Sequence, residues 1–260
     1  MRSTRWCRSP ACTATVTTRH DGRVPSPLAP DLSSVAEVVR TRRARVERGA
    51  TLVVIDGAVS VGKSTTAAML AAALDVPPDA LDVRVASTDG FLFPNRVLDA
   101  RGLTMRKGFP ESYDHDALAA LVTSVRAGDH EVRVPTYSHE TYDVLDERQV
   151  FACPQVLVLE GLHTMALADT VDLSVYVDAA EPDIERWYTE RFVELAAAGT
   201  GFYAQFSSWP ESQVLDFAHG VWDSINGPNL HEFILPGRDR ADVVITKGPD
   251  HGIVDVMLRE

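Results

Sequence analysis

Short apolar runs alternate along this chain with longer stretches whose apolar residues recur at helical spacing. Over residues 31–48, Leu32, Val35, Val38 and Val39 share one face, which predicts a helix. Thr51-Leu52-Val53-Val54-Ile55 follows without a polar break, the pattern of a strand covered on both faces. An Ala-rich helix is expected over 64–74, a strand over 83–86 and a helix over 114–126. Two more covered strands are read at Gln155-Val156-Leu157-Val158-Leu159 and Leu173-Ser174-Val175-Tyr176-Val177. A long helix over 182–198 carries Pro182 in its first turn, where a missing N–H costs no helical bond. Another helix is expected over 210–225, a last core strand over 242–246 and an edge strand over 252–259. Buried strands separated by helices specify an α/β fold, a mainly parallel sheet with helices on both faces.

Composition narrows the class. The 260 residues are 45% hydrophobic and 24% charged, the balance of a globular protein with one sizeable core. Three cysteines are too few for a disulfide framework. A net charge of −12 argues against nucleic-acid binding, and no apolar run approaches the ~18 residues a membrane-spanning helix needs. The expectation is a cytoplasmic protein with neither nucleic acid nor membrane as a partner. Residues 1–50 hold ten Arg against four acids, a net +6, which leaves −18 on the other 210 residues. Residues 1–30 lack apolar periodicity and read as a disordered basic tail; their Arg-rich composition resembles a mitochondrial presequence, but the amphipathic helix of one is missing. Residues 31–260 then form a single domain. Cys7 and Cys12 have no second pair of Cys or His for zinc, and Cys153 reads as inert packing. Only three of 25 basic residues are lysine, Lys63, Lys107 and Lys247, so each marks a place where a compact ammonium is worth examining.

Lys63 lies in Gly57-Ala58-Val59-Ser60-Val61-Gly62-Lys63-Ser64, which fits G-x-x-x-x-G-K-[ST] between a strand and a helix. That context makes the fold P-loop NTPase-type. Glycines such as Gly57 and Gly62 let main-chain N–H groups turn toward phosphate oxygens, and the helix start adds partial positive charge. Ser60 and Thr65 complete the loop and helix-start groups expected to hold the nucleotide. Lys63 is expected on the β- and γ-phosphates and Ser64 on Mg²⁺, with ATP the nucleotide. There is no N-K-x-D guanine signature. A kinase also needs a base for the acceptor hydroxyl and an acid beside Mg²⁺, and these lie at the carboxyl ends of strands. Asp89 and Glu160 meet that condition; Asp178 does too, but reads as a loop or cap acid.

Ser87-Thr88-Asp89-Gly90-Phe91-Leu92-Phe93-Pro94-Asn95 and Arg106-Lys107-Gly108-Phe109-Pro110-Glu111-Ser112-Tyr113-Asp114 strongly resemble segments of bacterial type I pantothenate kinases. Those are P-loop kinases related to uridine kinase and phosphoribulokinase. The resemblance runs on through Pro135-Thr136-Tyr137-Ser138-His139, Leu159-Glu160-Gly161-Leu162, Trp187-Tyr188-Thr189-Glu190-Arg191-Phe192, Ile225-Asn226, Ile234-Leu235-Pro236 and Thr246-Lys247, covering 51–260. It implies phosphorylation of pantothenate by ATP, the first step toward coenzyme A. It also implies roles: Asp89 as the base, Glu160 as the acid on the Mg²⁺ side, and Arg191 as the cation on the transferring phosphoryl. Tyr137, His139, Tyr188 and Asn226 match positions that hold pantothenate. Lys247 and His251 match a pair that lies against adenine. Lys107 falls in the most specific motif without an assigned contact. Homodimerisation is implied by the resemblance alone.

Several positions depart from the family pattern. Ala68 stands where Arg contacts coenzyme A, the feedback inhibitor, so weakened feedback is expected. His163 replaces a usual Asn, Gly237 a usual Thr, and the stretches 163–171 and 197–206 are short. Those changes leave open a paralogue acting on another small alcohol or a nucleoside, while Tyr137, His139, Tyr188 and Asn226 together favour pantothenate.

Overall fold

The covered apolar runs become the middle of a six-stranded sheet. A computed structural model describes residues 31–259 of the protein, so the readings placed on the tail, including Cys7 and Cys12, fall outside the described residues. Strand β1 (Thr51–Gly57) is buried at all seven positions, and β2 (Val83–Ser87) lies two places away. A separate antiparallel hairpin follows, β3 (Glu131–Ser138) and β4 (Asp143–Ala152). The sheet resumes with β5 (Val156–Glu160), β6 (Leu173–Ala179), β7 (Val243–Lys247) and β8 (Ile253–Leu258). The order is β2-β5-β1-β6-β7-β8, parallel throughout except for β8, which pairs antiparallel with β7.

The side-chain period of two divides the core between the faces of the sheet. From β1, Val53 and Ile55 join one cluster with Val35 and Val39 of α1 (Ser33–Arg43) and Leu70 and Leu74 of α2 (Lys63–Leu74). Leu52 and Val54 face the other way. They pack with Leu121 and Val125 of α4 (His115–Ala127) and Val132 and Val134 of β3. Asp114 caps α4 by accepting the Ala117 N–H at 2.9 Å, worth about 1 kcal/mol, and Gly128 ends it in the left-handed conformation. Between β2 and α4 the chain makes a short helix, α3 (Asn95–Ala100), and three tight turns. Helix α5 (Glu181–Ala198) packs against α6 (Glu211–Val221), with Phe192, Ala196, Phe206, Val214 and Ala218 buried between and beside them.

Two predicted helices end early. The first stops at Arg43 instead of residue 48, and α6 stops at Val221. Beyond Val221 the backbone stays helical but widens to π-turns at Trp222–Asn226 and Leu230–Ile234, with Pro228 between them. The hairpin and α3 escaped the periodicity. Strand β4 is mostly exposed, with charged residues breaking its apolar pattern, and six residues are too few to show a helical repeat. Among the described residues no helix is long and apolar enough to cross a membrane.

Candidate active site

Functional side chains gather at the carboxyl ends of β1, β2, β5 and β7. That is where an open α/β sheet leaves a crevice. The loop after β1 takes positive φ at Gly57 (143°), Ser60 (60°) and Gly62 (90°). A side chain at Gly57 would place its Cβ 2.4 Å from the Val177 carbonyl oxygen, so only glycine lets the loop leave the sheet there. Lys63 begins α2, and its Nζ donates to the carbonyls of Gly57 (3.1 Å) and Ala58 (2.8 Å). Ser64 and Thr65 follow in the exposed first turn, open to a ligand. Burial pulls the Lys63 pKa down, while Glu160, Asp56 and Asp89 oppose the shift and Arg191 adds to it. Those four groups therefore face the loop lysine.

Glu160 ends β5 and is 7% exposed. Burial raises its pKa and the like charge of Asp89 raises it further; Lys63 and the hydroxyls of Ser64 and Ser87 work the other way. A buried carboxylate hydrogen-bonded to the Ser64 hydroxyl is a hard-oxygen pair, the donor set Mg²⁺ takes alongside phosphate oxygens and water. Asp89 sits in a single turn, Thr88–Phe91, started by the Ser87 hydroxyl, which accepts the Asp89 N–H at 3.3 Å. Gly161 lets that turn come close: a Cβ there would lie 1.9 Å from the Thr88 hydroxyl oxygen. Asp178, at the end of β6, is held by Arg238 at 2.7 Å, so it keeps the structural part read from its position.

The opposite wall is aromatic. Tyr137 ends β3, with the His139 ring edge-on at 5.2 Å. Tyr142 at the hairpin tip stacks on Phe202 at 4.5 Å, and the Phe202 N–H donates to the Glu140 carbonyl at 3.0 Å, docking the tip onto the connection after α5. Tyr188, on α5, faces the side chain of Asn226 in the first π-turn, which lowers its pKa against the larger effect of burial. Widened turns of this kind are frequent at functional sites because they re-aim a side chain without ending the helix. Burial pushes Tyr142 up to about 12 and raises Tyr137, Tyr188 and Tyr203, so all four hydroxyls stay protonated donors. Asp89 raises Tyr137 and Tyr142 further and steadies the charge on Lys107. Phe192, three residues beyond Thr189, is buried against Phe206 and belongs to the core.

The three lysines receive distinct surroundings. Lys107 donates to Asn95 Oδ1 (2.7 Å) and to the Tyr142 carbonyl (2.5 Å), with its Nζ 4.1 Å from the Tyr142 ring centre. Sequence reasoning gave it no contact, because its partners lie 12 and 35 residues away. Lys247 is 5% exposed, and its Nζ lies 2.8 Å from where a Gly62 Cβ would be, so it covers the phosphate loop. Among the described residues it forms no ion pair. His251 stacks on Trp187 at 3.7 Å; burial lowers its pKa, and the nearby charge of Lys247 lowers it further. Ala68 is exposed on α2, one turn past Ser64. Asp56 is the buried acid that sequence reading passed over; it sat inside an apolar strand pattern with no motif to mark it.

Residues 52–187 match the phosphoribulokinase / uridine kinase family profile. A pantothenate kinase of Cutibacterium acnes is 43% identical over 224 residues, covering 79% of this chain and 68% of its own. One from Myxococcus xanthus is 44% identical, with 80% and 72% covered, and one from Sorangium cellulosum is 45% identical, with 79% and 71% covered. Among solved structures, a Silicibacter sp. TM1040 protein described as a fructose transport system kinase aligns at a TM-score of 0.59 and 25% identity, covering 75% of this chain and 96% of that one. The YGR205w protein aligns at 0.62 with 14% identity over 88% and 96%, a likeness of fold alone. The chain belongs to the phosphoribulokinase / uridine kinase family, among its pantothenate kinases.

Proposed function

We propose that this protein transfers the γ-phosphoryl group of ATP to the primary hydroxyl of pantothenate, giving 4′-phosphopantothenate and ADP. One observation carries the reading: the turn that holds Asp89 is wedged between the Glu160 strand, where Gly161 meets Thr88, and the hairpin of Tyr137, where Gly90 lies against the Pro135 carbonyl. A base for an acceptor hydroxyl has to stand at that junction.

In this mechanism the phosphate loop and Lys63 hold the β- and γ-phosphates through main-chain N–H groups and one ammonium. Tyr188, Asn226, Tyr137 and His139 fix the acceptor by donors and acceptors suited to hydroxyl, amide and carboxylate groups. Asp89 takes the proton of the primary hydroxyl as its oxygen forms the new bond to phosphorus. The bond from phosphorus to the β–γ bridging oxygen breaks, and ADP leaves with that electron pair. Arg191 and Lys63 stabilise charge on the transferring group, which is where phosphoryl transfer gains most of its rate. Ser64 and Glu160 would hold Mg²⁺, which supplies charge neutralisation on the phosphate oxygens when bound. Lys247 and His251 are assigned to the nucleotide, with Lys247 on the loop side and His251 offering its ring.

The test is ADP release by the purified protein with Mg-ATP and pantothenate, against a blank without acceptor and a uridine control. Pantothenate-dependent release is the expected result. Release with uridine but not with pantothenate overturns the assignment of the acceptor. The exposed methyl of Ala68 offers no hydrogen bond to a phosphate, so coenzyme A should inhibit weakly beside an Arg-bearing relative in the same titration. A homodimer in the cytoplasm completes the proposal, and sedimentation checks the dimer.

A further inference from the structure

Two acids of the sheet are buried, Glu160 and Asp56, and the reaction above does not use Asp56. It is 1% exposed, at the last turn of β1 before the phosphate loop. Its Oδ1 accepts the N–H of Gly57 at 2.7 Å, and its Oδ2 accepts the N–H of Met165 at 2.7 Å. Gly57 opens the phosphate loop. Met165 belongs to the turn that follows Glu160 in the chain. That turn is also tied on its far side: the His163 ring meets the Gly108 carbonyl at 2.7 Å, and the Asn229 amide donates to the same oxygen at 2.8 Å.

A buried carboxylate is costly, and a small apolar residue would complete this strand at no such cost. Burial pushes the Asp56 pKa up to about 6, and the main-chain donors and Lys63 work against that rise. Both oxygens are used, each on a different segment of the site. We propose that Asp56 is a positioning residue: it fixes the phosphate loop to the segment after β5, so that the loop N–H groups, Lys63 and Glu160 keep one spacing around the nucleotide. The inference rests on reading this site as an ATP-dependent kinase, but not on the identity of the acceptor.

A short apolar side chain in this place would leave the Gly57 and Met165 N–H groups without their acceptor, and the loop free to shift relative to Glu160. Asparagine keeps the shape but has one acceptor oxygen, so one of the two N–H groups faces an amide nitrogen instead.

The experiment measures Mg-ATP affinity calorimetrically, without acceptor, for the full-length wild type, Asp56→Asn and Asp56→Ala. Melting temperatures and steady-state KM and kcat are taken in parallel. Loss of one charge-assisted hydrogen bond corresponds to about a tenfold weaker affinity. The expected result is that loss in Asp56→Asn, a larger one in Asp56→Ala, a raised KM for ATP and a KM for the acceptor within about twofold of wild type. A residue that only supports the core would lower the melting temperature and leave the ATP affinity of the folded protein unchanged; that outcome overturns the proposal. If Asp56→Ala does not fold, Asp56→Asn decides alone. Wild-type protein that binds Mg-ATP but ignores pantothenate would fail the acceptor assignment and leave the Asp56 test standing.

Discussion

The two walls of the crevice are built in opposite ways. The phosphate wall comes from one continuous stretch, β1, its loop and α2, and its ligating groups are mostly main-chain N–H. The aromatic wall draws Lys107, Tyr137, Tyr142, Tyr188, Tyr203 and Asn226 from five separate parts of the chain, and its groups are side chains. A main-chain site is fixed by local conformation and tolerates no change in glycine positions. A side-chain site is fixed by packing, and each contact can be altered singly. In the proposed reaction the phosphate wall sets the chemistry, and the aromatic wall sets what is phosphorylated.

Substitutions on each wall should fail differently. Asp89→Asn stands at the junction and should cost the most, about 10²–10⁴-fold in kcat, with Mg-ATP affinity nearly unchanged in calorimetry. A near wild-type rate would remove Asp89 as the base. Lys63→Met should lower turnover by roughly 10²–10³-fold and weaken ATP binding as well. Intact ATP affinity there would dissolve the distinction between the walls. Tyr188→Phe removes the hydroxyl that faces Asn226, worth one hydrogen bond of about 0.5–1.5 kcal/mol. Its KM for pantothenate should rise by up to about tenfold, with the KM for ATP constant in the same assay. A change in the ATP constant instead would show that the walls are coupled.

The smallest effect is in pH. Burial pushes Lys107 down to about 8 from its usual 10.5. The folded protein releases that proton at lower pH than the unfolded chain does, so across pH 8–10.5 unfolding takes up a proton and stability rises with pH. Buried tyrosines with raised pKa values act in the opposite sense near pH 10, so the readout is a difference: in chemical unfolding from pH 8 to about 9.5, wild type should gain stability with pH relative to Lys107→Met. An equal slope in both would mean that the ammonium is not buried in the aromatic wall.

The same contrast explains what could be read from the residues alone. The strands 51–57, 156–160 and 173–179 are covered on both faces, so each is an unbroken apolar run and declares itself. The phosphate loop declares itself because its geometry needs fixed residues at fixed spacing. The hairpin did not, since β4 covers the molecule with one side only and its other side is charged. Tyr142 and Asn95 were missed because nothing local distinguishes a hydroxyl or amide that meets Lys107 from one that meets water. Tyr137, His139, Tyr188 and Asn226 were assigned through resemblance to a family, not through pattern. Asp56 was hidden for the reverse reason: its neighbours made the strand so legible that an acid within it drew no notice.

The hairpin that carries Tyr137 and Tyr142 is a two-stranded sheet outside the main one, and its outer strand is mostly exposed. Two strands alone are marginally stable in water, so the hairpin is held by what its inner face and tip rest on. Its opening takes less free energy than breaking the six-stranded sheet. If the hairpin opens first on warming, turnover should fall at a lower temperature than the melting of the sheet, and heat would then close the acceptor's doorway before it undoes the nucleotide loop.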